Sequence, residues 1–433
     1  VYLLPAVLSE LLLGAHFWRA GDTGLHVSFW AAPLLLLFGQ RWAARTTQLL
    51  LLVGVIVWIG ALAGFVRTRM LLGEPWLRMA IILGGVALFT ACAALLFQAR
   101  RVLAAYPPSP SATAAPATAA FFLTAALLGI VHVTVHPSML LLERFFPRTG
   151  WAEIMGLSVY AAWVTEKMLA PRRSPLWRRR IWGLFAIVFF AQLLLGLAGF
   201  TGFLMSGAVH LPVPALIAAG PLYRGEGFFM LILFGATVAA VGPAWCSHLC
   251  YIGALDNAMA QRRLRPSALP AWRRPASIGV LLGAAATALL MRFSGASAEI
   301  AASAAGLFGV CGIGVMVFWS RKAGVMTHCV TYCPIGVLAT AFGRVSPFRI
   351  RIAPSCTDCG ACTLACRYDA LGKADVLRRQ PGTSCTLCGD CVGRCKGSSI
   401  EYRYAGLGPD AARGLFITLV VSLHAAFLGV ARL

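Results

Sequence analysis

Eleven stretches of the chain approach the roughly 20 apolar residues that a helix needs to cross a bilayer. They are centred near residues 8, 31, 57, 88, 130, 160, 192, 236, 285, 312 and 422. Lipid offers the backbone no hydrogen-bond partners, so a spanning segment must be a helix or part of a closed barrel. Uninterrupted apolar runs of this length fit helices. Composition agrees: 59% of residues are hydrophobic, 12% are charged, and the mean hydropathy is +0.78. The expected fold is an all-α polytopic membrane protein of about eleven transmembrane helices. The second run is short, and the sixth is interrupted by Glu166 and Lys167. The first carries Glu10 and lacks a basic start, so it does not read as a cleavable signal peptide.

The chain carries a net charge of +22, unevenly placed. One set of loops holds Arg41 and Arg45, Arg100 and Arg101, the run from Lys167 to Arg180, and the run from Arg262 to Arg274. The opposite loops hold fewer cations, chiefly Arg67, Arg69, Arg78, Arg144 and Arg148. The positive-inside rule assigns the first set, the polar block at 321–411 and the N-terminus to the cytoplasm, as expected for a multi-pass protein of a bacterial inner membrane. Charge spread over short inter-span loops reflects topology, and nucleic acid is not an expected partner. Membrane lipids are.

Residues 105–119, "AYPPSPSATAAPATA", lack periodicity and read as a linker after a four-span N-terminal unit at 1–104. Two further spans occupy 120–176. A four-span core follows at 177–343, then a cysteine-rich polar block at 344–406, and a last span at 407–433. Two internal repeats stand out. "CSHLCYIGAL" (246–255) and "CVTYCPIGVL" (329–338) share the pattern C-x3-C-x-I-G-x-L, each at the predicted cytoplasmic end of a hairpin. "SCTDCGACTLAC" (355–366) and "SCTLCGDCVGRC" (384–395) share C-x2-C-x2-C-x3-C.

Reducing conditions in the cytoplasm favour ligation over disulfides. Three cysteines at two-residue spacing wrap a cuboidal iron–sulfur cluster, and in bacterial two-cluster ferredoxins the fourth ligates the other cluster. That rule gives Cys356, Cys359, Cys362 and Cys395 to one [4Fe–4S] cluster, and Cys385, Cys388, Cys391 and Cys366 to a second. The polar block is therefore expected to be a small cytoplasmic α+β ferredoxin domain of the bacterial 2[4Fe–4S] type. Arg367 and Lys396 stand where such motifs usually carry proline. Zinc typically uses paired C-x2-C groups, which two complete runs of four fit less well. Residues 344–405 hold ten Lys and Arg against five Asp and Glu, an excess that suits anionic clusters or anionic headgroups. On a regular helix, Cys246 and Cys250 would sit about 5–6 Å apart at Cβ, too wide for an unstrained disulfide. With Cys329 and Cys333 they suit a third cluster, a metal ion, redox thiols or a structural role. Cys92 and Cys311 read as ordinary buried small residues.

With these motifs in place, the chain resembles the NapH/NosR/CcoG group of membrane-bound polyferredoxins over about residues 177–400. "LWRRRIWGLFAIVFFAQ" is similar to the way such a core begins. The resemblance implies an accessory electron-transfer factor of a respiratory redox system, with a protein redox partner or larger complex. Tyr251 stands where the first C-x3-C usually precedes a proline, whereas Pro334 keeps the pattern.

On the predicted outer side, His132 and His136 are four apart on one expected helix face, and His210 lies in the apolar loop 210–227. They are candidates for a quinone, haem b or metal site, or for interfacial side chains satisfied by water, lipid or backbone. Gln192 is a candidate quinone hydrogen-bonder or helix–helix contact. The leading function is an electron carrier or quinone-linked oxidoreductase subunit joining a quinone pool or periplasmic site to the clusters. The alternatives are a copper reductase or metallocentre-maturation factor of the CcoG kind, and a scaffold whose clusters act as staples. A transporter fits less well, since Glu10 is the main charge inside the spans.

Overall fold

The computed structural model describes residues 3–107, 114–203 and 211–430. It divides into two compact units, Val1–Glu166 and Lys167–Leu433. Among the described residues eight helices are long and apolar enough to cross a membrane. The other three expected spans also fall on helices. Leu4–Arg19 has 16 residues, Thr23–Phe38 is a shorter apolar helix, and Gly150–Leu169 carries Glu153, Glu166 and Lys167.

The first unit contains α1 (Leu4–Arg19), α2 (Thr23–Ala31), α3 (Arg41–Leu71), α4 (Leu77–Leu95), α5 (Ala114–Thr134) and α6 (Gly150–Leu169). α1 packs on α2, α3 and α4, and α3 packs on α5. Close approach of α1 and α3 depends on Gly54, where an added Cβ would stand 2.4 Å from a Leu13 methyl. Two features depart from expectation. α5 begins at Ala114, inside the stretch read as linker; Pro116 falls in its first turn, where no backbone N–H is required. α5 also ends at Thr134, so His136 is off the helix and shares no face with His132. Pro137 disfavours the α conformation at His136 and ends the run.

The second unit opens with α7 (Ser174–Leu197), α8 (Leu216–Arg224) and α9 (Phe229–Val241). α10 (Tyr251–Ala260), α11 (Arg273–Phe293), α12 (Ala298–Gly314) and α13 (Pro334–Phe342) complete its membrane core. The polar block follows as β1 (Arg349–Ile352), α14 (Ala361–Ala365), α15 (Lys373–Leu377), α16 (Asp390–Arg394) and β2 (Ile400–Arg403). α17 (Pro409–Val430) returns to the apolar layer and is largely buried in the unit.

β1 and β2 pair antiparallel with Arg349 opposite Arg403 and Ile352 opposite Ile400. Strand alternation puts Ile350, Ile352, Ile400 and Tyr402 inside and Arg351 and Arg403 outside. Phe416 of α17 packs on Tyr402 and Phe348, so the polar block is seated on the last helix. Arg413 reinforces that seat by donating to the Met168 carbonyl at 2.8 Å and to that of Leu169. Cys92 and Cys311, expected to be buried, are exposed on the helix surfaces. A small apolar thiol meets lipid as readily as protein, so its place in a span does not fix the side it faces.

Candidate metal centre

The two four-cysteine motifs fold alike, residue for residue. In the first, Asp358 and Gly360 take left-handed backbone angles (φ 52° and 72°) on either side of Cys359. In the second, Leu387 and Gly389 do the same (φ 57° and 78°) around Cys388. Such turns are costly for Asp and Leu and persist only where the surroundings impose them. Here they wrap the chain around a common centre before α14 and α16 carry the third cysteine. Three residues past the fourth cysteine, Asp369 and Ser398 again share a left-handed conformation. The following amides then donate to sulfur: Ala370 N–H to Cys366 Sγ and Ser399 N–H to Cys395 Sγ, both at 3.3 Å. These donors favour a thiolate over a thiol.

Cys391 lies within electrostatic reach of Cys385, Cys388 and Cys366. The first three belong to one motif and Cys366 to the other. Burial raises all four thiols, Cys385 to about 12. Among the described residues no three His, Cys, Asp or Glu side chains stand close enough to hold one metal ion. The four sulfurs suit a cuboidal cluster, in which each iron takes its own thiolate.

The two C-x3-C repeats form a second matched pair. Trp245–Leu249 and His328–Tyr332 are wide turns in which the N–H of the second cysteine reaches five residues back. Cys250 bonds to Trp245 O at 2.9 Å and Cys333 to His328 O at 2.8 Å. Cys250 (φ −86°, ψ 117°) and Cys333 (φ −78°, ψ 119°) are then extended, and α10 and α13 start at the next residue. The regular helical spacing expected for Cys246 and Cys250 is thus replaced by a break at the second cysteine. Pro334 disfavours a helical Cys333, yet Tyr251 gives the same geometry, so proline is not what imposes it. Packing does. The Trp182 indole donates to Cys250 O at 2.7 Å. The repeated glycine lets the new helix fold back on the first cysteine. A Cβ at Gly253 would stand 2.7 Å from Cys246 O, and one at Gly336 2.2 Å from Cys329 O.

All four of these cysteines are buried, and Cys329 is within electrostatic reach of Cys246, Cys250 and Cys333. Asp256 of α10 ties one repeat to the other by accepting the Cys329 N–H at 3.0 Å. Its burial pushes the Asp256 carboxyl up to about 6. A cavity of about 340 Å³ opens beside Cys246 and Cys329, closed by Gly336 and Tyr368 and rimmed by Arg273 and Arg274. No disulfide joins any two of the fourteen cysteines.

Three side chains with no site role legible in the sequence tie the polar block to the rest of the unit. Arg178 is 1% exposed, pairs bidentately with Asp390 at 3.0 and 2.7 Å, and donates to Ser247 O at 3.0 Å. It therefore touches the residue beside Cys391 and the residue beside Cys246. Tyr368 donates to Cys246 O at 3.1 Å. Arg367, at the position usually held by proline, donates to the carbonyls of Gly324 (2.8 Å), Arg263 (2.9 Å), Leu264 (3.3 Å) and Ala260 (3.4 Å). The departure from the ferredoxin pattern is thus a docking contact. Arg178 was hidden in a basic run that topology already explained.

A second cavity, about 410 Å³ and mostly apolar, lies between α8, α11 and α12. Its polar lining is Tyr223, Arg224, Thr287 and Tyr332, and Tyr332 precedes Cys333. Gln192 is buried in α7 away from it, with neither amide atom paired among the described residues. His132 packs edge-on against Trp151 in the first unit, and His210 lies outside the described residues.

A protein-family profile described as a 4Fe-4S binding domain matches residues 226–268, the segment that carries Cys246 and Cys250. No curated protein and no solved structure matches the chain. The matched segment and the apolar helices together fit an iron–sulfur membrane protein. The match falls on the C-x3-C hairpin, whose role the sequence left open.

Proposed function

We propose that the chain is a membrane-bound electron-transfer protein. In this reading it holds two [4Fe–4S] clusters in residues 344–406 and a third at Cys246, Cys250, Cys329 and Cys333. It joins a quinone in the membrane to a redox partner on the cytoplasmic side, within or beside a respiratory system of the NapH/NosR kind. The observation that carries this reading is the continuity of the two cysteine regions. Arg178 is bonded to both, and Tyr368 of the polar block donates to Cys246 O, so the C-x3-C thiols and the inner set of four share one desolvated wall.

A [4Fe–4S] cluster supplies a one-electron couple whose potential follows its charge, hydrogen bonds and exposure. The chain's own residues govern those three factors. Cys366, Cys385, Cys388 and Cys391 provide one thiolate set, and Cys356, Cys359, Cys362 and Cys395 the other. The Ala370 and Ser399 amides stabilise thiolate charge. The Arg178 guanidinium, close to Cys388, favours the more reduced and more negative state. Tyr402 and Leu387 exclude water on the inner side, both being under 5% exposed. The apolar cavity ending on Tyr332 has the size and lining of a small-molecule pocket. The Tyr223 and Tyr332 hydroxyls already donate to Ala296 O and Phe308 O at 2.7 and 2.8 Å, so the Arg224 guanidinium is the group suited to a carbonyl oxygen, which supports a quinone there.

The test is an EPR-monitored redox titration of anaerobically purified protein, with iron counted on the same sample. Three clusters give about 12 iron atoms per chain and two give about 8. The expected result is about 12, with one signal and about four irons lost on Cys246→Ser or Cys329→Ser. A count near 8 that neither substitution changes would make the C-x3-C motifs structural.

A further inference from the structure

The space between the membrane core and the polar block gathers positive charge that the fold itself does not balance. The cavity of about 340 Å³ that reaches Cys246 and Cys329 is lined by Arg273 and Arg274, at the start of α11, and by Arg344, just past α13. Thr383 and Thr386 of the polar block line it from the other side. A smaller cavity of about 160 Å³ shares Thr340, Arg344 and Thr383 with it and adds Arg349 and Arg351. The two form one groove with five arginines, and among the described residues no Asp or Glu lines either part.

The arginines differ in what they are bonded to. Arg273 is ion-paired with Asp369 at 3.1 Å and is neutralised within the fold. Arg349 donates to the carbonyls of Arg344 (2.7 Å), Ser346 (2.5 Å) and Phe348 (2.6 Å), which fixes the turn that carries Arg344. Arg274 donates to the Thr383 hydroxyl at 2.5 Å, a neutral partner. The Arg344 guanidinium has no partner among the described residues. Acid groups beside the groove are engaged elsewhere. Asp375 pairs with Arg378 at 2.6 Å, and Glu401, opposite Arg351 in the strand pair, pairs with Arg403 at 3.0 Å.

Thr386 is an independent sign of a ligand. It is 3% exposed, and its hydroxyl oxygen has no partner. Water ordinarily satisfies an exposed arginine, but several on one concave wall concentrate a positive potential. A buried hydroxyl left unpaired is costly and calls for a bonding partner. The guanidinium fork matches two oxygens of a phosphate-type group at once. The Thr383 and Thr386 hydroxyls each keep a proton to donate to a further oxygen. The larger cavity has about ten times the volume share of one water, so the anion has room for a substituent.

We propose that this groove binds a phosphate-type oxyanion between Arg274 and Arg344, as the free ion or as the headgroup of an anionic phospholipid at the membrane edge. The site needs no iron and stands apart from the cluster reading.

The test is phenylglyoxal modification of arginine on the full chain in lipid vesicles, read by peptide mass spectrometry. In phosphatidylcholine vesicles without phosphate or sulfate, Arg274, Arg344 and Arg378 should all react, Arg378 being exposed and outside the groove. Inorganic phosphate should slow modification of Arg274 and Arg344 about tenfold and leave Arg378 unchanged. Chloride at equal ionic strength should protect none of them. Phosphatidylglycerol vesicles without added phosphate separate the sources. Protection there assigns the site to a headgroup, and protection by inorganic phosphate alone assigns it to the free ion. Arg344→Gln should abolish protection at Arg274, and Thr386→Val should weaken it several-fold, both with unchanged iron content. Cys246→Ser should leave protection intact. No protection by phosphate or phosphatidylglycerol, or equal protection of Arg378, would overturn the proposal. Protection that needs no added anion and is lost with iron in Cys246→Ser would also overturn it, assigning the arginines to a cluster.

Discussion

The two four-cysteine motifs have one backbone and two environments. Both loops repeat the same left-handed positions and the same N–H to sulfur bond. Around the second motif stand Arg178, Asp390, Tyr402 and Leu387, all buried. Around the first, Cys359 is exposed, and its neighbour Asp358 pairs with Arg379 at the surface. The residues after the fourth cysteine differ in the same way. Arg367 clasps four carbonyls of the membrane core, whereas Lys396 is exposed. Loop geometry is therefore a local property of the repeat. Charge and solvent access, the factors that set a potential, come from what each copy is docked against.

That comparison can be broken most directly at Arg178. Arg178→Gln leaves Asp390 buried without its partner, which costs about 3–5 kcal/mol. It should also lower the more buried of the two midpoints by about 59 mV or more, one decade in a one-electron equilibrium. Potentiometry on the variant checks this, and equal shifts at both centres would erase the distinction between the motifs.

Arg367→Pro, which restores the usual ferredoxin residue, should leave iron content intact. Docking should weaken by about 3 kcal/mol, the worth of one or two charged hydrogen bonds. Hydrogen exchange should rise at residues 260–265 and 321–324, and no rise would mean that Arg367 does not hold the block in place.

The C-x3-C repeats sharpen the contrast from another side. Gly336→Ala drives a methyl into the Cys329 carbonyl and should cost about 1–3 kcal/mol. Gly253→Ala should cost at least as much, because its methyl would meet both Cys246 O at 2.7 Å and the fully buried Trp182 ring at 2.6 Å. Thermal unfolding of both variants tests that order.

The smallest effect is expected at Asp358→Asn. An exposed ion pair is screened by water and salt, so neither the unfolding midpoint nor the more buried potential should move. A clear shift in the buried centre would show that the exposed face also controls it.

The helices and the cysteine motifs were legible from the residues alone. Apolar run length decides what must be helix in lipid, and all eleven expected centres fall on helices. The C-x2-C-x2-C-x3-C pattern is a local instruction, since both copies fold to the same left-handed positions around the second cysteine. The twin C-x3-C motifs were visible as a repeat, but their meaning was not. A regular helix was the default for "AWCSHLC", and only packing by Trp182 and Gly253 breaks it at Cys250.

Tertiary structure alone decided which charges matter. Arg178 sits in a run of basic residues that topology explains, and nothing in that run marks one member for burial beside Asp390, 212 positions away. His132 and His136 show the converse, four residues apart in sequence but parted by a helix end at Thr134. Periodicity and spacing are carried by neighbours along the chain and can be read from it. Burial, ion pairing and docking depend on residues brought together only when the helices pack.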